Sequence, residues 1–369
     1  MNRKTDLSTG LSNGVSNGLS TGMTLGRRRL LFGAGAIGGA ALLTACTGNE
    51  PEDDNASAAN VNAGSGDNAA PGKEVTIGFS APAADHGWIA AITTNAKAQA
   101  DQHEDVTLNA VEGSNDVNQQ ISQVETLISQ KVNALVILPF DGQALTEVAI
   151  RAMEAGIPVI NLDRVFSSPR GARAWIGGDN YGMGAAAGRY IAEQMEAKGV
   201  TNPIIGEVQG IANLPLTQDR TRGFEEALAA AGMKVSNRVS AEFTVESGEE
   251  VAANLLQAED KIDIIWNHDD DQGVGVKQAF DNAGRDEFFF IGGAGSANAM
   301  RWIQDGEMEA TILYPPTQAA DGIRLARLLA QNKGMSDLVQ VEVPRRIVLN
   351  APVVNADNVE QYLPLGFES

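Results

Sequence analysis

Short apolar runs alternate with amphipathic segments along most of the chain, and this alternation constrains the fold more than any other feature. One unit has an apolar run at 134–138, a helical pattern over 145–155 and a second apolar run at 159–162. Parallel strands buried on both faces have such continuous apolar runs, and helices form the crossovers between them. The alternation occurs over 75–197 and again over 203–313. It predicts an α/β protein with two similar, doubly wound parallel-sheet lobes.

The apolar and amphipathic patterns place the individual elements of both lobes. The residue 158 proline stands where the fourth strand begins, after a helix-like segment. The sequence predicts strands at 75–80, 106–111, 134–138, 158–162, 203–209, 235–243, 262–266, 288–291 and 310–313, and helices at 88–102, 116–130, 145–155, 175–197, 219–231, 249–257, 274–283 and 297–304.

An acid and a base, Asp163 and Arg164, directly follow the fourth predicted strand. Ligands of open parallel sheets bind beyond the carboxyl ends of the strands. A carboxylate accepts hydrogen bonds from hydroxyl groups, and a guanidinium donates along a planar fork. The pair therefore suits a neutral, polyhydroxylated ligand. The alternative is an ordinary surface ion pair, which contributes little.

Polar and aromatic residues follow strands in both predicted lobes. Aromatic rings can cover the apolar face of a sugar while polar groups bind its hydroxyls, so this mixture favours a carbohydrate over an amino acid or peptide. The candidate ligand-binding residues are Ser80, Asp85, His86, Trp88, Phe140, Asp141, Asp163, Arg164, Phe243, Asn267, Asp269 and Tyr314.

Several of these candidates have other interpretations. Trp88 is also compatible with the hydrophobic core, and His86 and His268 with ordinary surface histidines. The run Asp269–Asp271 is also compatible with a solvated turn or a calcium site. The alternating acidic pattern of a calcium loop is missing, however, so we expect no metal.

Charge and cysteine content exclude several classes of protein. A formal net charge of -20 gives no basic surface that would follow a phosphate backbone, so we expect no nucleic-acid partner. The single cysteine rules out an internal disulfide. Three histidines, dispersed along the chain, give no zinc-site spacing. We expect no cofactor.

The first 72 residues have the organisation of an export signal and a tether. Arg27–Arg29 precede a short, glycine-rich apolar segment over 30–43, which is typical of a twin-arginine signal. The sequence Leu43-Thr44-Ala45-Cys46 resembles the lipobox of bacterial lipoproteins and predicts lipidation of Cys46. A membrane anchor with an incidental cysteine is the alternative. We interpret 1–46 as the signal region and 47–72 as a flexible tether that holds an exported protein at the membrane.

From about Val75 to its C-terminus, the chain resembles the periplasmic sugar-binding proteins of the ribose-binding type, which are the solute receptors of ABC importers. Several stretches in matching order carry this resemblance. They are Ile157-Pro158-Val159-Ile160-Asn161-Leu162-Asp163-Arg164, Gly178-Asp179-Asn180-Tyr181-Gly182, Gln209-Gly210-Ile211-Ala212, Arg220-Thr221-Arg222-Gly223-Phe224 and Asp305-Gly306-Glu307-Met308-Glu309-Ala310-Thr311.

The resemblance implies roles for particular residues. Asp163, Arg164 and Arg220 match sugar-binding residues of the family, and Trp88 and Phe243 match aromatic rings. At three further positions this chain has a different residue type from the family. Asp269 is found where the family usually has an asparagine, and either Asp85 or His86 is found where it has another asparagine. Tyr314 is found where the family has a glutamine.

Two departures from the family pattern indicate an altered site. Leu138 replaces a polar ligand residue, and Ala294 stands where the family usually has a sugar-binding aspartate. Ribose is therefore not the expected ligand, and a different pentose-sized sugar or a sugar alcohol is favoured.

The resemblance also implies a mechanism without chemistry on the ligand. Two lobes joined by a three-stranded hinge close over a ligand in the cleft, and a membrane permease binds the closed form. The expected lobes are 73–177 with 316–344, and 178–315 with 345–369, with crossings near 175–178, 313–317 and 344–347. We expect a monomer.

Three other functions compete with this one. A sugar-responsive transcription regulator needs a DNA-binding segment where this chain has an export signal. An exported carbohydrate-active enzyme could pair Asp163 with Asp269, but Arg164 should keep Asp163 ionised, and no nucleophile with an orienting base is apparent. A sugar receptor for a signalling system shares the fold and remains open. We therefore predict a binding protein rather than an enzyme.

Overall fold

The computed structural model describes residues 70–286, 289–331 and 345–368. The predicted signal region, Cys46 and the tether up to residue 69 lie outside the described residues. Within the described part of the chain, no helix combines the length and the apolar character that crossing a bilayer requires.

The first sheet has six parallel strands, and its strand order confirms a doubly wound α/β lobe. Its central strands are buried on both faces, which explains their continuous apolar runs. In spatial order the strands are β11 (Arg346–Leu349), β5 (Ala174–Gly178), β4 (Val159–Leu162), β3 (Ala134–Ile137), β1 (Val75–Ser80) and β2 (Val106–Ala110).

The second sheet repeats this arrangement with one difference. Its outer strand β12 pairs antiparallel with β10, whereas the other neighbours are parallel. In spatial order the strands are β12 (Val353–Asn355), β10 (Ala310–Ile312), β9 (Phe289–Ile291), β8 (Ile264–Asn267), β6 (Ile205–Gln209) and β7 (Asn237–Ser240). The predicted two-lobed α/β fold is confirmed.

Helices connect the strands and cover the faces of the sheets. Several begin at an aspartate that follows a strand and whose carboxylate accepts a backbone N–H, as Asp141, Asp179 and Asp269 do. The helices are α1 (Gly87–Asp101), α2 (Val117–Ser129), α3 (Gly142–Glu154), α4 (Asn180–Ala197), α5 (Pro215–Ala230), α6 (Val245–Ala258), α7 (Asp270–Ala283), α8 (Ala297–Asp305), α9 (Gln318–Ala330) and α10 (Val359–Tyr362).

Two sequence predictions about the hinge region are wrong. The stretch 175–180 was expected to open a helix, but most of it belongs to strand β5, and α4 begins at Asn180. Strand β11 pairs with β5, so the second lobe does not begin at residue 345, and the chain passes to the second sheet between β11 and β12. Strand β11 lies at the sheet edge and alternates exposed and half-buried residues, so it lacks a continuous apolar run.

Candidate functional site

A void of about 340 Å³, part of which is open solvent, lies beyond the carboxyl ends of strands from both sheets. Eight of the thirteen candidate ligand-binding residues, which are the twelve that follow strands and Arg220, line it, and Leu216 and Ala294 complete its wall. The lining residues are His86, Trp88, Asp163, Arg164, Leu216, Arg220, Phe243, Asp269, Ala294 and Tyr314.

Asp163 is held in place directly after strand β4. Its backbone has a left-handed φ of 54°, which aspartate tolerates better than most residues. Its N–H donates to the Ile176 carbonyl at 2.8 Å, and its carbonyl accepts from Trp175 Nε1 at 2.9 Å. The Tyr314 hydroxyl donates to Asp163 Oδ1. Oδ2 has no donor among the described residues, so one carboxylate oxygen can accept from a ligand.

Arg164 lies beside it with a donor left unused. Its Nη1 donates to the Phe140 carbonyl at 2.7 Å, and the guanidinium carbon is 5.7 Å from the centre of the Phe140 ring. Its Nε is buried and has no hydrogen-bond partner within the described residues. Burial lowers the pKa of Arg164, and the adjacent Asp163 carboxylate opposes that shift. A buried, unpaired N–H is costly, which favours a ligand oxygen at Nε.

Arg220 and Tyr314 form the wall on the other side. Arg220 Nε donates to Asn180 Oδ1, and Nη1 donates to the His268 carbonyl, both at 2.9 Å. The Arg220 guanidinium carbon lies 4.7 Å from the centre of the Tyr314 ring. Asn180 Nδ2 donates to the Tyr314 hydroxyl at 3.1 Å. Burial and the Asp163 charge raise the pKa of Tyr314, so the phenol stays neutral and can donate.

Aromatic rings cover two sides of the void. The Trp88 and Tyr314 ring centres are 5.6 Å apart, and Trp88 Nε1 donates to the Tyr314 carbonyl at 2.9 Å. The His86 ring stacks on Phe243 with centres 6.2 Å apart. Gly210 allows this position of Phe243, because a Cβ there would lie 2.0 Å from the Phe243 ring. These rings can cover the apolar face of a sugar.

The three aspartates of the second lobe have different partners. Asp269 lines the void and caps α7, accepting from the Asp271 N–H at 2.9 Å. Asp270 points away from the void and accepts from the N–H groups of Gly295 and Ser296 at 2.8 and 2.7 Å. Because all three are buried, a solvated turn is ruled out.

Asp271 connects the two lobes. Its Oδ2 accepts from the Trp88 N–H, in the first turn of α1, at 3.4 Å. Burial, with the neighbouring Asp269 charge, raises the pKa of Asp271 to about 7. Burial also raises the pKa of Asp270 to about 8 and raises that of Asp269. Across the described ranges, no group of three or more His, Cys, Asp or Glu side chains could hold a metal ion.

Two predicted ligand-binding residues lie in the interior instead of on the void. Ser80 is fully buried and its hydroxyl accepts from Gln120 Nε2 at 3.1 Å. Asn267 is fully buried and its Oδ1 accepts from Gln272 Nε2 at 2.6 Å. Both belong to the strands themselves, so their side chains point into the layer between sheet and helices.

Three further candidates do not line the void, and two of them, Asp85 and Phe140, hold residues that do. Asp85 Oδ1 lies 2.6 Å from His86 Nδ1, and this hydrogen bond raises the pKa of His86 against the effect of burial. Phe140 holds Arg164 through its carbonyl and ring. Asp141 caps α3 by accepting from the Ala144 N–H.

The structure adds residues that sequence reasoning missed. Leu216 lines the void, and Asn180 bonds to both Arg220 and Tyr314. Asn180 belongs to the stretch Gly178-Asp179-Asn180-Tyr181-Gly182, which resembles the family, and this resemblance is the sequence feature that points to Asn180. Ala294 lines the void as expected for its position, whereas Leu138 lies fully buried in the core.

Comparisons with known proteins agree with this architecture. Residues 77–334 match the family model described as a periplasmic binding protein domain. The ribose import binding protein of Bacillus subtilis is 30% identical over 259 residues, covering 68% of this chain and 82% of that protein. The D-ribose/D-allose-binding protein of Pseudomonas aeruginosa is 31% identical over 247 residues, covering 64% and 76%.

A solved structure has the same fold. An ABC transporter solute-binding protein from Mycobacterium smegmatis, with bound glycerol, is 26% identical with a TM-score of 0.71, covering 80% of this chain and 99% of that one. These relatives are binding proteins rather than enzymes. The chain belongs to the periplasmic binding protein family, among the sugar-binding proteins of the ribose-binding type that serve as solute receptors of ABC transporters.

Proposed function

We propose that the protein is the extracytoplasmic solute-binding component of an ABC importer and that it binds a monosaccharide or sugar alcohol of about pentose size. The observation that carries this proposal is the void itself. Asp163 and Arg164 of the first lobe face Arg220 and Asp269 of the second, and aromatic rings close the sides. Relatives named as ribose-binding proteins support a sugar ligand.

The polar groups have complementary roles in this proposal. Asp163 Oδ2 accepts from a sugar hydroxyl, and Arg164 Nε donates to a ring or hydroxyl oxygen. The Trp88 ring covers a C–H face of the sugar. The void measures about 340 Å³ including open solvent, so it suits a small sugar better than a large one.

Closure of the lobes links binding to transport in this proposal. The Tyr314 hydroxyl reaches Asp163, and Asp271 reaches the Trp88 N–H, so both contacts join the lobes. A ligand that forms hydrogen bonds with both lobes adds further contacts between them, and it therefore favours the closed form. A permease in the membrane then binds the closed protein.

A thermal-shift screen of the whole protein against pentoses, hexoses, sugar alcohols, inositols and amino acids tests the ligand class. A ligand at 100 times its Kd adds about 2.7 kcal/mol to the free energy of unfolding. We expect one sugar or polyol to raise the melting temperature, and Asp163→Asn to remove most of that rise. Stabilisation by amino acids alone, or by nothing in the panel, would contradict the proposal.

The proposal includes lipid anchoring at Cys46 after export by a twin-arginine signal. The sequence before this sole cysteine supports it. Expressed in a bacterial host, the protein should partition with detergent and incorporate labelled fatty acid, and Cys46→Ala should do neither. Fatty-acid labelling of Cys46→Ala would refute this assignment. Replacing Arg27 and Arg28 by lysine should block export.

A further inference from the structure

A second, larger cavity lies beside the void. It measures about 1110 Å³, part of which is open solvent, and we call it the outer chamber. Both lobes contribute to its walls. The lining residues are Asp141, Gly142, Gln143, Asp163, Arg164, Val165, Phe166, Ser167, Trp175, Asn180, Asn213, Leu214, Pro215, Leu216, Asp219 and Arg346.

The outer chamber and the void share three wall residues, Asp163, Arg164 and Leu216. Two of these have hydrogen-bonding capacity left. Arg164 Nε is buried without a partner among the described residues, and Asp163 Oδ2 lacks a donor among them. A ligand bound at this pair therefore lies at the boundary between the two spaces, and a substituent on it can extend into the chamber.

The walls of the outer chamber combine apolar surface with polar groups at the rim. Val165 is 47% exposed, so it leaves apolar surface on the chamber wall. The Arg346 guanidinium lies 4.0 Å from the centre of the Trp175 ring. The amide side chains of Gln143 and Asn213 belong to exposed residues. Apolar patches flanked by amides and a guanidinium suit a second sugar-like ring.

The charges of the outer chamber select against a charged substituent. Its cations are Arg164 and Arg346, and its carboxylates are Asp141, Asp163 and Asp219. Asp219 forms an ion pair with Arg222 at 2.8 Å, so the two cations face two further carboxylates and the wall has no net charge. A neutral ring suits this wall, because a charged group would lose its hydration there without a net attraction in return.

We propose that the outer chamber is a second subsite and that the preferred ligand is a neutral disaccharide or glycoside. Its first unit occupies the void, and its second unit lies between Val165, Trp175 and Pro215. This inference rests on the proposed sugar-binding function and extends the ligand from a single pentose-sized unit to one that carries a second neutral ring. The protein prefers the two-ring ligand over a monosaccharide because the second ring covers apolar surface of Val165, which a monosaccharide leaves exposed to water.

Titration calorimetry of the whole protein tests the subsite. The probes are the monosaccharide or polyol with the largest thermal shift, its methyl and phenyl glycosides, its neutral disaccharides and its phosphate ester. We expect at least one disaccharide or phenyl glycoside to bind at least tenfold more tightly than the parent, and the phosphate ester to bind more weakly. If the parent binds and every extended neutral ligand binds more weakly, the inference fails while the proposed function stands.

A cavity-filling variant and a matched control locate the effect. Val165→Trp should abolish the advantage of the extended ligand and leave the Kd of the parent within twofold. Val348→Trp is the matched control, because Val348 is 50% exposed and lies on strand β11 outside the chamber lining. This variant should change neither the Kd of the parent nor the Kd of the extended ligand. Equal weakening of parent and extended ligand by Val165→Trp would overturn the subsite. Absence of binding by any parent sugar would instead refute the proposed function.

Discussion

Two clusters of charged residues face each other across the cleft, and they use their residues differently. At the end of β4, Asp163 and Arg164 both line the void. At the start of α7, one of three consecutive aspartates, Asp269, lines it. Consecutive residues at the start of a helix point about 100° apart, so a run of identical side chains faces three different surroundings. The sequence of three aspartates therefore does not show which of them lines the void.

The clusters also differ in charge balance. Asp163 has a guanidinium beside it and a phenol hydroxyl donating to it. Asp270 and Asp271 are buried next to another carboxyl group, and this combination raises the pKa of each to about 8 and about 7. The first cluster presents charge to a ligand, whereas the second holds protons inside the protein near neutral pH.

Asp270→Ala should have the largest effect on stability. It removes the acceptor of the Gly295 and Ser296 N–H groups, and each unsatisfied buried donor costs about 1–3 kcal/mol. We expect the free energy of unfolding to fall by about 3 kcal/mol in urea denaturation. Asp281→Ala, at an exposed position of the same helix, should change it by less than about 0.5 kcal/mol. Equal effects of the two variants would remove the distinction between the aspartates.

Asp163→Asn should have the largest effect on ligand binding. Asparagine tolerates the positive φ, so the change removes charge and one acceptor without straining the backbone. A hydrogen bond to a charged group contributes about 1.5–3 kcal/mol, which corresponds to a roughly 10- to 100-fold higher Kd. Calorimetry with the screened sugar measures this. Asp141→Asn, in the helix cap outside the void, should leave the Kd of a monosaccharide unchanged.

The pH dependence of stability tests the second cluster. Asp271 has a pKa of about 7 in the folded state, whereas an ordinary aspartate has a pKa of 3.8. At pH 6 the folded protein therefore holds a proton on Asp271 that the unfolded chain does not, and it loses this proton as the pH rises to 8. Stability should fall as pH rises through this range, by about 1.4 kcal/mol from Asp271 alone. The raised pKa values of Asp270 and His86 act in the same direction. Burial lowers the pKa of His268, which acts in the opposite direction and reduces the net slope.

Urea denaturation at pH 6 and pH 8 measures this slope. Asp271→Asn should be less pH-dependent than the unmodified protein, and Asp281→Asn should not differ from it. Stability that rises with pH in the unmodified protein would contradict the assignment of buried protons to this cluster.

Tyr314→Phe should have the smallest effect. It removes the hydroxyl that donates to Asp163 and accepts from Asn180, while keeping the ring beneath Arg220. The hydroxyl bonds to Asp163 and Asn180 and has no proposed contact with the ligand, so we expect the Kd of the sugar to rise less than tenfold. A loss of binding as large as that of Asp163→Asn would show that the link between the lobes, rather than the Asp163 carboxylate, dominates recognition.

Local sequence patterns were enough to predict the two-lobed α/β architecture and the Asp163–Arg164 side of the site. Continuous apolar runs such as those of β3 and β4 occur when strands are buried on both faces, and Asp163 follows such a run directly. Strand β11 escaped prediction because an edge strand with one covered face lacks that run.

Tertiary structure decided which polar residues reach the void. Ser80 and Asn267 are the last residues of strands β1 and β8 and point into the layer beneath the helices, whereas Asp163 and Asp269 follow their strands and line the void. Side chains alternate between the two faces of a strand, and the turn that follows sets the direction of the next residues. That direction depends on contacts such as Gln120 to Ser80 and Tyr314 to Asp163, between residues far apart in the chain, which local sequence patterns do not encode.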